Sequence, residues 1–378
     1  MKITVNKEIF LKAINTTESI VSSKNINTIL SNCLFNIYKN RIEIIATDNE
    51  IAIKTQIDAS TDKEMSFITN GKYLYNVIKE LPDEDITFTI DKSTDESFVI
   101  NIKSSGIKGN YKFFGNNSNE FPHIPVINNE NSIIIEQAVF REMIKKVIYA
   151  AATDTIKPVF NSIYIVSERP GTITAISTDS RRLSMITRDI DSESFIGEGI
   201  IIPLKTVNEV LKLLTSSGTC TISYNSKQCY FKINETEIIS RVIDGQFPNY
   251  KQIIPKEYSH KAVIETSTLI SAIKRAVIFT REPANKIIMT FNDNILNIEA
   301  SATELGQAEE ELTIESNNKE KMFLGINAHF LHDTLKQIDS SNFTCGITGQ
   351  MSPITIIPEK DDNFISIIMP IQIKTSAE

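Results

Sequence analysis

The sequence contains little cysteine, no tryptophan and no long apolar run. Its four cysteines are far apart along 378 residues, form no C-x-x-C pair and have no histidine beside them: Cys33, Cys220, Cys229 and Cys345. Structural zinc sites need closely spaced ligands, and disulfide scaffolds are short and rich in cysteine, so we expect four reduced thiols. No apolar run approaches the roughly 18 residues that a helix needs to span a bilayer, which argues against an integral helical membrane protein.

Signs of export and of disorder are also missing. The opening residues, MKITVNKE, lack the basic-then-apolar layout of a signal peptide, which favours a cytoplasmic protein. A hydrophobic fraction of 41% with 23% charged residues is typical of a soluble globular chain and excludes intrinsic disorder. The formal net charge of −8, taken alone, argues against a nucleic-acid-binding protein.

The motifs that would indicate a metal, a cofactor or catalysis are absent as well. The sequence has no G-x-x-x-x-G-K-[ST], no G-x-G-x-x-G and no G-x-S-x-G, so no cofactor and no catalytic residue is predicted. His329 and His332 are three residues apart and would share a helix face, which could in principle hold a metal. Asp333 would point elsewhere on that helix, so the plainer interpretation is two polar positions on an exposed face, and no metal site is predicted.

A repeat of about 130 residues organises the chain. The outline of a strand entering a short amphipathic helix occurs at 3–14, returns at 133–144 and returns again at 263–273. On this alignment Phe10, Phe140 and Ile270 are equivalent. A second amphipathic helix recurs in each repeat, with apolar residues at three- and four-residue spacing: 70–81, 203–214 and 327–338.

Alternating segments rich in Ile, Thr and Phe lie between the helices, and this period of two predicts half-buried antiparallel strands: 42–46, 86–90, 97–103, 171–177 and 295–300. The predicted fold class is therefore α+β, with three tandem copies of a two-helix, antiparallel-sheet domain. The predicted domains are 1–125, 126–256 and 257–378.

The positive charge is concentrated on the helices. The six predicted helical segments (7–15, 72–81, 137–148, 204–214, 267–277 and 327–338) together carry a formal charge of +7, so the remainder carries −15. Most of their basic residues lie off the apolar stripe and should face away from the sheet: Lys12, Lys72, Lys79, Arg141, Lys145, Lys205, Lys212, Lys274, Arg275 and Lys336.

Two interpretations of this charge stay open. Lysines on exposed helix faces are often no more than solubilising residues. If the helices share one surface, that surface would attract phosphates independently of base sequence. No aromatic stacking platform and no recognition-helix motif is present, so the ligand implied by the second interpretation is the backbone of duplex DNA.

Four short motifs carry a resemblance to a known family. They are Ala-Thr-Asp at 46–48 with Glu50, Thr-Asp-Ser-Arg-Arg-Leu at 178–183, Asp-Gly-Gln-Phe-Pro-Asn-Tyr at 244–250 and Ile-Ile-Met-Pro-Ile-Gln-Ile at 367–373. Over its whole length the chain resembles bacterial DNA polymerase III beta subunits, the sliding clamps. The resemblance implies the DNA clamp fold and a ring-shaped, head-to-tail homodimer with helices inside and sheets outside. The implied function is non-enzymatic: the ring encircles duplex DNA and tethers the replicative polymerase, which gives processivity.

The resemblance also implies a pocket for short apolar peptide motifs of the polymerase III alpha subunit, clamp-loader subunits, other polymerases and repair proteins. Leu183, Ile253, Ile367 and Met369 would form its apolar cleft. The matching positions are Lys157, Phe160, Thr178, Ser180, Arg181, Arg182, Leu183, Pro248, Gln252, Ile253, Pro353, Ile367, Met369, Pro370, Ile371, Gln372 and Ile373. The family's common Gly-His after Thr-Asp is Ser180-Arg181 here, and customary arginines are Gln252 and Gln372, so the rim of the pocket is altered.

A protomer interface and DNA contacts complete what the resemblance implies. Apolar and basic residues of the first domain, Lys108, Tyr111 and Phe113, would meet a patch of the third domain that includes Ile278, Phe279, Glu309, Glu310 and Glu311. The alternative for the three glutamates is an exposed acidic loop. Lys24 and Lys205 match basic DNA contacts of the family, whereas a basic position expected near Asn285 is neutral.

Two hypotheses from other classes remain. One is an enzyme with an active site between repeats that uses Asp48 or Asp179 as a base. Neither aspartate has a nearby histidine, lysine or nucleophile that would form a plausible acid/base pair with it, which argues against this hypothesis. The other is a repeat scaffold that binds proteins but no DNA.

Overall fold

The computed structural model describes residues 1–21, 28–61, 63–82, 84–94, 96–125, 131–154, 156–191, 196–302 and 305–373. Within these residues there are six α-helices: α1 (Lys7–Glu18), α2 (Gly71–Lys79), α3 (Gln137–Ile148), α4 (Leu204–Leu213), α5 (Thr266–Ala276) and α6 (Ala328–Leu335). All six lie where the sequence predicts a helix, with ends that differ by up to three residues. Short 3-10 turns occupy Thr28–Ser31, Pro158–Phe160, Tyr250–Gln252 and Val277–Phe279.

The strands of the first half are β1 (Lys2–Val5), β2 (Cys33–Ile37), β3 (Arg41–Thr47), β4 (Ile51–Asp58), β5 (Ser60–Thr61), β6 (Met65–Thr69), β7 (Ile86–Lys92), β8 (Ser97–Ser104), β9 (Tyr111–Asn116), β10 (Ser132–Glu136), β11 (Ser162–Val166), β12 (Thr172–Thr178) and β13 (Arg182–Asp189). Those of the second half are β14 (Ile200–Pro203), β15 (Thr219–Tyr224), β16 (Gln228–Ile233), β17 (Thr236–Arg241), β18 (His260–Glu265), β19 (Lys286–Asn292), β20 (Ile295–Ala302), β21 (Gly306–Thr313), β22 (Glu315–Ser316), β23 (Met322–Asn327), β24 (Asn342–Ile347), β25 (Ile354–Pro358) and β26 (Phe364–Ile368).

Three helices begin at an asparagine that supplies the N-cap. The Asn6 Oδ1 accepts a hydrogen bond from the Ile9 N–H at 3.2 Å, and Asn70 caps α2 in the same way. The Asn327 Oδ1 accepts from two N–H groups at the start of α6. Because an N-cap side chain satisfies amides that have no partner within the helix, asparagine at these positions fixes where each helix begins.

The first compact unit comprises Met1–Ala138 and Asn208–Val242. It contains a sheet of thirteen strands in the order β10-β15-β16-β17-β4-β3-β2-β6-β9-β8-β7-β1-β5, paired antiparallel. Phenylalanines under α1 form its core, where the Phe10 ring meets the Phe88 ring edge-on at 4.9 Å and the Phe35 and Phe67 rings stack at 5.3 Å. Such pairs add to the free energy gained by burying their apolar surface.

The second compact unit comprises Val139–Val207 and Ile243–Glu378. Its nine-stranded sheet has the order β14-β11-β12-β13-β26-β25-β24-β18-β22, and a four-stranded sheet has the order β21-β20-β19-β23. Strands of the predicted domain 126–256 thus belong to both compact units, β10 and β15–β17 to the first and β11–β14 to the second. The three predicted domain boundaries stay predictions.

The structure corrects the repeat alignment by one residue in its third copy. The fourth residue of α1 is Phe10 and that of α3 is Phe140, whereas the fourth residue of α5 is Leu269. Leu269 is fully buried, whereas Ile270 is only partly buried. The alignment of the strand before α5 must be shifted by one residue as well, since a shift of one residue turns a strand's side chains to the opposite face.

Not every predicted strand is half-buried. Strand β12 is buried at all seven positions, because α3 covers one face and an apolar cluster covers the other. Ser177 donates a hydrogen bond to the Val147 carbonyl of α3, while Ile176 belongs to the apolar cluster. Small and hydroxylated side chains can therefore alternate with isoleucine in a strand that has no exposed face.

The four cysteines are buried and free. Burial raises the pKa of each thiol from 9.0 to about 12, so all four stay protonated at neutral pH. In the part of the chain that the structure describes, no helix has the length and apolar character to cross a membrane.

Candidate functional site

A tight turn between β12 and β13 organises the candidate peptide pocket. The Asp179 Oδ1 accepts hydrogen bonds from the N–H groups of Arg181 (2.8 Å) and Arg182 (2.9 Å). The Thr178 hydroxyl donates to the Arg182 carbonyl at 2.6 Å, and Ser180 has a left-handed backbone with φ of 75°. Threonine and aspartate therefore act through the backbone here, and the turn places Arg182 and Leu183 at the start of β13.

Nine of the seventeen residues implied for peptide binding line one cavity of about 170 Å³, which we call the downstream cleft: Phe160, Thr178, Ser180, Arg182, Leu183, Pro248, Ile253, Ile367 and Met369. Leu183 and Ile367 are cross-strand partners in the pairing of β13 with β26 and are almost fully buried. Ile253 and Met369 keep 37% and 39% of their surface exposed. The cleft therefore has an apolar floor and accessible apolar walls, which suits a short apolar segment.

Arg182 is a fixed cation in the wall of the downstream cleft. Its Nε lies 3.1 Å from Asp179 Oδ2 and its Nη1 lies 2.9 Å from Asp333 Oδ2. The guanidinium carbon lies 4.5 Å from the Phe330 ring centre and 5.4 Å from that of Tyr149. Two carboxylates and two aromatic rings thus hold the guanidinium in one orientation.

An aromatic cluster supports the cleft from below. Tyr164 and Phe247 stack with ring centres 4.7 Å apart. The Tyr250 hydroxyl donates to Glu168 Oε1 at 3.1 Å, and the Lys251 Nζ lies 2.7 Å from the same oxygen. The hydrogen bond from Lys251 lowers the pKa of Glu168, and burial raises that of Tyr250. These contacts fix the 247–251 segment, from which Pro248 enters the cleft wall.

The other eight residues implied for peptide binding lie outside this cavity. The Lys157 Nζ lies 5.9 Å from the Phe160 ring centre, and the Arg181 carbonyl accepts from the Met369 N–H at 2.8 Å. Ile371 donates its N–H to the Gly325 carbonyl at 2.7 Å, so the end of the chain runs along β23 instead of entering the cavity. The remaining five are exposed or half-buried: Gln252, Pro353, Pro370, Gln372 and Ile373.

The first-domain residues implied for the interface lie on or near one strand edge. Tyr111 and Phe113 point to the same side of β9 and are half-buried, and Lys108 is exposed in the preceding turn. Strand β9 pairs with β8 along its length, but with β6 only at its last residue. Along most of its other backbone edge, therefore, no strand of the described residues lies beside it. The sequence interpretation missed Phe114, which is 71% exposed on the opposite side of β9.

The third-domain residues implied for the interface lie at a second strand edge. Ile278 is 66% exposed, and Phe279 packs at the border of the apolar core. The three glutamates form part of β21, the outermost strand of its sheet, so the alternative of an acidic loop is wrong. Since side chains alternate along a strand, Glu309 and Glu311 are exposed while Glu310 turns to the other face.

Glu310 is bound within its own chain. Its carboxylate accepts from the Arg275 Nε at 2.6 Å and from Nη2 at 2.7 Å. This bidentate pair lowers the pKa of Glu310. Arg275, predicted as a DNA contact, and Glu310, predicted as an interface residue, are therefore each engaged by the other.

All ten basic residues named above for the predicted helical segments are exposed, and Lys336 lies one residue beyond the end of α6. Lys212 pairs with Glu209 at 2.8 Å. Two further helical lysines are buried and serve the fold: Lys7 donates to the carbonyls of Lys79 and Leu81, and Lys146 donates to the Gln337 carbonyl at 2.7 Å. Lys24, predicted from the resemblance, lies outside the described residues.

The residues weighed for catalysis and metal binding have other partners. Asp48 accepts hydrogen bonds from backbone N–H groups of its own turn, as Asp179 does. His332 is half-buried instead of exposed, and burial lowers its pKa. Among the described residues, no three of His, Cys, Asp and Glu are placed to hold a metal ion.

The chain matches known proteins along nearly all of its length. Residues 1–125, 134–249 and 251–372 match the N-terminal, central and C-terminal domains of the DNA polymerase III beta subunit. The beta sliding clamp of Treponema pallidum is 27% identical over 376 residues, covering 98% of this chain and 100% of that protein. That of Halalkalibacterium halodurans is 25% identical over 387 residues, with the same coverage.

Solved structures have the same fold. The DNA polymerase sliding clamp of Bacillus subtilis superposes with a TM-score of 0.92 at 20% identity, covering 99% of each chain. A sliding clamp of Pseudomonas aeruginosa bound to griselimycin gives 0.91 at 22% identity, covering 99% of this chain and 100% of that one. The chain therefore carries three clamp domains in tandem and belongs to the DNA polymerase III beta subunit family, the sliding clamps, which are non-catalytic processivity factors of the replicative polymerase.

Proposed function

We propose that two copies of this chain join head to tail into a ring that encircles duplex DNA in the cytoplasm, at the chromosome. The observation that carries the proposal is the placement of charge. Nine exposed lysines and arginines lie on α1 to α5, and a tenth, Lys336, directly follows α6, while the chain as a whole carries −8. A surface of this kind attracts phosphates without reading bases, so a ring held on DNA by its topology could slide along it.

Two open strand edges support the head-to-tail contact. In one copy β9 would lie beside β21 of the other, since each presents backbone groups that no strand of the described chain pairs along most of its length. Tyr111, Phe113, Ile278 and Phe279 would supply apolar surface beside these edges. Lys108 would face the exposed glutamates of β21, Glu309 and Glu311.

The downstream cleft would receive the clamp's protein partners. Its apolar floor and accessible apolar walls suit short extended motifs of the polymerase III alpha subunit, clamp-loader subunits, other polymerases and repair proteins. At the rim, Ser180 and Arg181 replace the family's common Gly-His, and Gln252 and Gln372 replace arginines. The preferred motif should therefore differ from that of clamps with the usual rim.

Retention on closed DNA tests the proposal. The protein is loaded onto nicked circular DNA with a clamp loader and ATP, isolated by gel filtration, and the DNA is then cut once. We expect the protein to stay with circular DNA at high salt and to leave after linearisation. Release that does not depend on DNA ends would contradict the ring.

A variant that cannot close provides the matched control. Ile278→Asp with Phe279→Asp places two charges in the proposed interface, where they would have no partner. We expect a folded monomer in sedimentation that is not retained on circular DNA. A variant that still sediments as a dimer would show that the interface lies elsewhere.

A further inference from the structure

A second cavity lies within the first compact unit. It has a volume of about 520 Å³, and we call it the upstream cleft. Its floor includes Ile51, Ala52 and Ile239, which are buried, and its rim includes the exposed Glu50 and Arg241. Neither the interface nor the DNA contacts proposed above use it.

The turn at its edge repeats the turn at the downstream cleft. The Thr47 hydroxyl donates to the Ile51 carbonyl at 2.9 Å. The Asp48 Oδ1 accepts from the N–H groups of Glu50 and Ile51, both at 2.9 Å. Asn49 has φ of 75°, the same value as Ser180. The turns at 47–51 and 178–182 are therefore built by the same contacts.

The strand pairing beside the two turns is equivalent as well. Ala52 lies opposite Ile239 in the pairing of β4 with β17, as Leu183 lies opposite Ile367 in the pairing of β13 with β26. The next backbone contact also repeats: the Arg241 N–H donates to the Glu50 carbonyl at 3.0 Å, as Met369 does to Arg181.

The wall segment repeats in sequence. Phe-Pro at 121–122 matches Phe-Pro at 247–248, and Pro122 lines the upstream cleft as Pro248 lines the downstream one. Turn, strand pair and wall segment thus give both cavities one backbone frame.

The side chains on this common frame differ in size and charge. Arg241 takes the position of Met369, and Glu50 takes that of Arg181. Ala52 takes the position of Leu183, which removes bulk from the floor. An apolar wall is thus replaced by an exposed guanidinium, and the space above the floor is larger.

We propose that the upstream cleft is a second peptide-binding site, for an extended segment that places an aspartate or glutamate next to a branched apolar residue. The carboxylate would meet the Arg241 guanidinium, a pairing that is often bidentate. The apolar residue would fill the space above Ala52. Glu50 would repel a second carboxylate, which sets the direction of the segment. The proposal rests on the proposed function, because peptide binding by the upstream cleft is inferred from its likeness to the downstream cleft.

A defined probe tests this with the full-length protein carrying labelled isoleucine methyl groups. The probe is acetyl-Ala-Leu-Asp-Ala-amide, and methyl signals are followed by NMR as its concentration rises. We expect saturable shifts for Ile51 and Ile239. Replacing the probe's aspartate by lysine should abolish them, and no saturable shift at these two methyls would overturn the proposal.

Variants at equivalent positions separate the two clefts. Arg241→Glu should weaken probe binding at least tenfold, whereas Met369→Asp should leave it unchanged. Glu50→Gln should strengthen binding about threefold, since it removes a negative charge from the lining of the cleft. Probe binding that survives Arg241→Glu would contradict the site.

A titration with a polymerase-derived peptide, followed at the Ile253 methyl signal, distinguishes failure of the upstream site from failure of the proposed function. If that peptide shifts Ile253 but the probe leaves Ile51 and Ile239 unmoved, the upstream site is wrong and the proposed function stands. If the polymerase-derived peptide binds at neither cleft, the peptide-binding part of the proposed function is wrong, and the upstream proposal falls with it.

Discussion

The two clefts have one backbone frame and different contents. The frame depends on a threonine, an aspartate and a left-handed residue, all of which act on nearby backbone groups. The side chains that line each cleft are not determined by this backbone frame. Position 51 holds an isoleucine that is 2% exposed, whereas its counterpart is Arg182, held between carboxylates and aromatic rings. A repeated frame can thus preserve a site's shape while its ligand chemistry diverges.

The largest expected difference between the clefts concerns the polymerase-derived peptide. Ile253→Asp with Met369→Asp places two carboxylates in the apolar wall of the downstream cleft. We expect peptide affinity to fall at least a hundredfold from about micromolar, or about 3 kcal/mol, measured by calorimetry. Both side chains are over a third exposed, so the melting temperature should change little.

The equivalent change in the upstream cleft is the control for this prediction. Arg241→Asp should leave the affinity for the polymerase-derived peptide unchanged. Undiminished binding by the double variant, or loss caused by Arg241→Asp, would mean that the peptide docks elsewhere.

The second prediction contrasts an ionic and an apolar residue at equivalent positions. Arg182→Ala should lower the free energy of unfolding by about 2 kcal/mol, because Asp179 and Asp333 lose their partner while Asp333, at 40% exposure, stays hydrated. Ile51→Ala should cost about 3 kcal/mol through the cavity it leaves. Urea denaturation measures both.

A double-mutant comparison identifies the mechanism of each loss. In an Asp333→Asn background the cost of Arg182→Ala should shrink by about 1 kcal/mol, whereas that of Ile51→Ala should not change. If the cost of Arg182→Ala were also unchanged in the Asp333→Asn background, the Arg182–Asp333 contact would add no stability.

These pairs also show what the sequence could predict. The turns follow from Thr-Asp at 47–48 and 178–179, because their contacts are local. The contact between Arg182 and Asp333 could not be predicted, since the two residues are 151 positions apart in the sequence. The upstream cleft was missed, although Phe-Pro at 121–122 and 247–248 is a repeat visible in the sequence.

The repeat alignment at Ile270 and the surroundings of the three glutamates also depend on contacts between residues far apart in the sequence. The repeat of about 130 residues places Ile270 opposite Phe140, and the sequence does not correct this because Leu269 is aliphatic too and only packing decides which one is buried. For the three consecutive glutamates, the sequence leaves an exposed loop as the alternative to an interface. An edge strand such as β21 accepts such residues, because no strand of the described chain pairs with its outer side.

A smaller effect is expected from the two left-handed residues. Asn49 and Ser180 have the same φ of 75°, but asparagine adopts this conformation more readily than serine. Ser180→Gly should therefore raise the free energy of unfolding by about 0.5–1 kcal/mol, and Asn49→Gly should leave it nearly unchanged. Equal effects in urea denaturation would contradict this account.

The smallest effect concerns the Glu168 contact that supports the downstream cleft. Lys251 lowers the pKa of Glu168 in the folded chain, so the stability from this contact is present above the pKa of an unfolded glutamate, about 4.3. It is lost as the pH falls through the folded pKa. Because both side chains are more than half exposed, the contribution should stay below about 1 kcal/mol. Lys251→Ala should raise the Glu168 pKa in a carboxyl NMR titration and leave that of Glu310, which Arg275 holds, unchanged. An unmoved Glu168 would mean that Lys251 does not hold the 247–251 segment through this carboxylate.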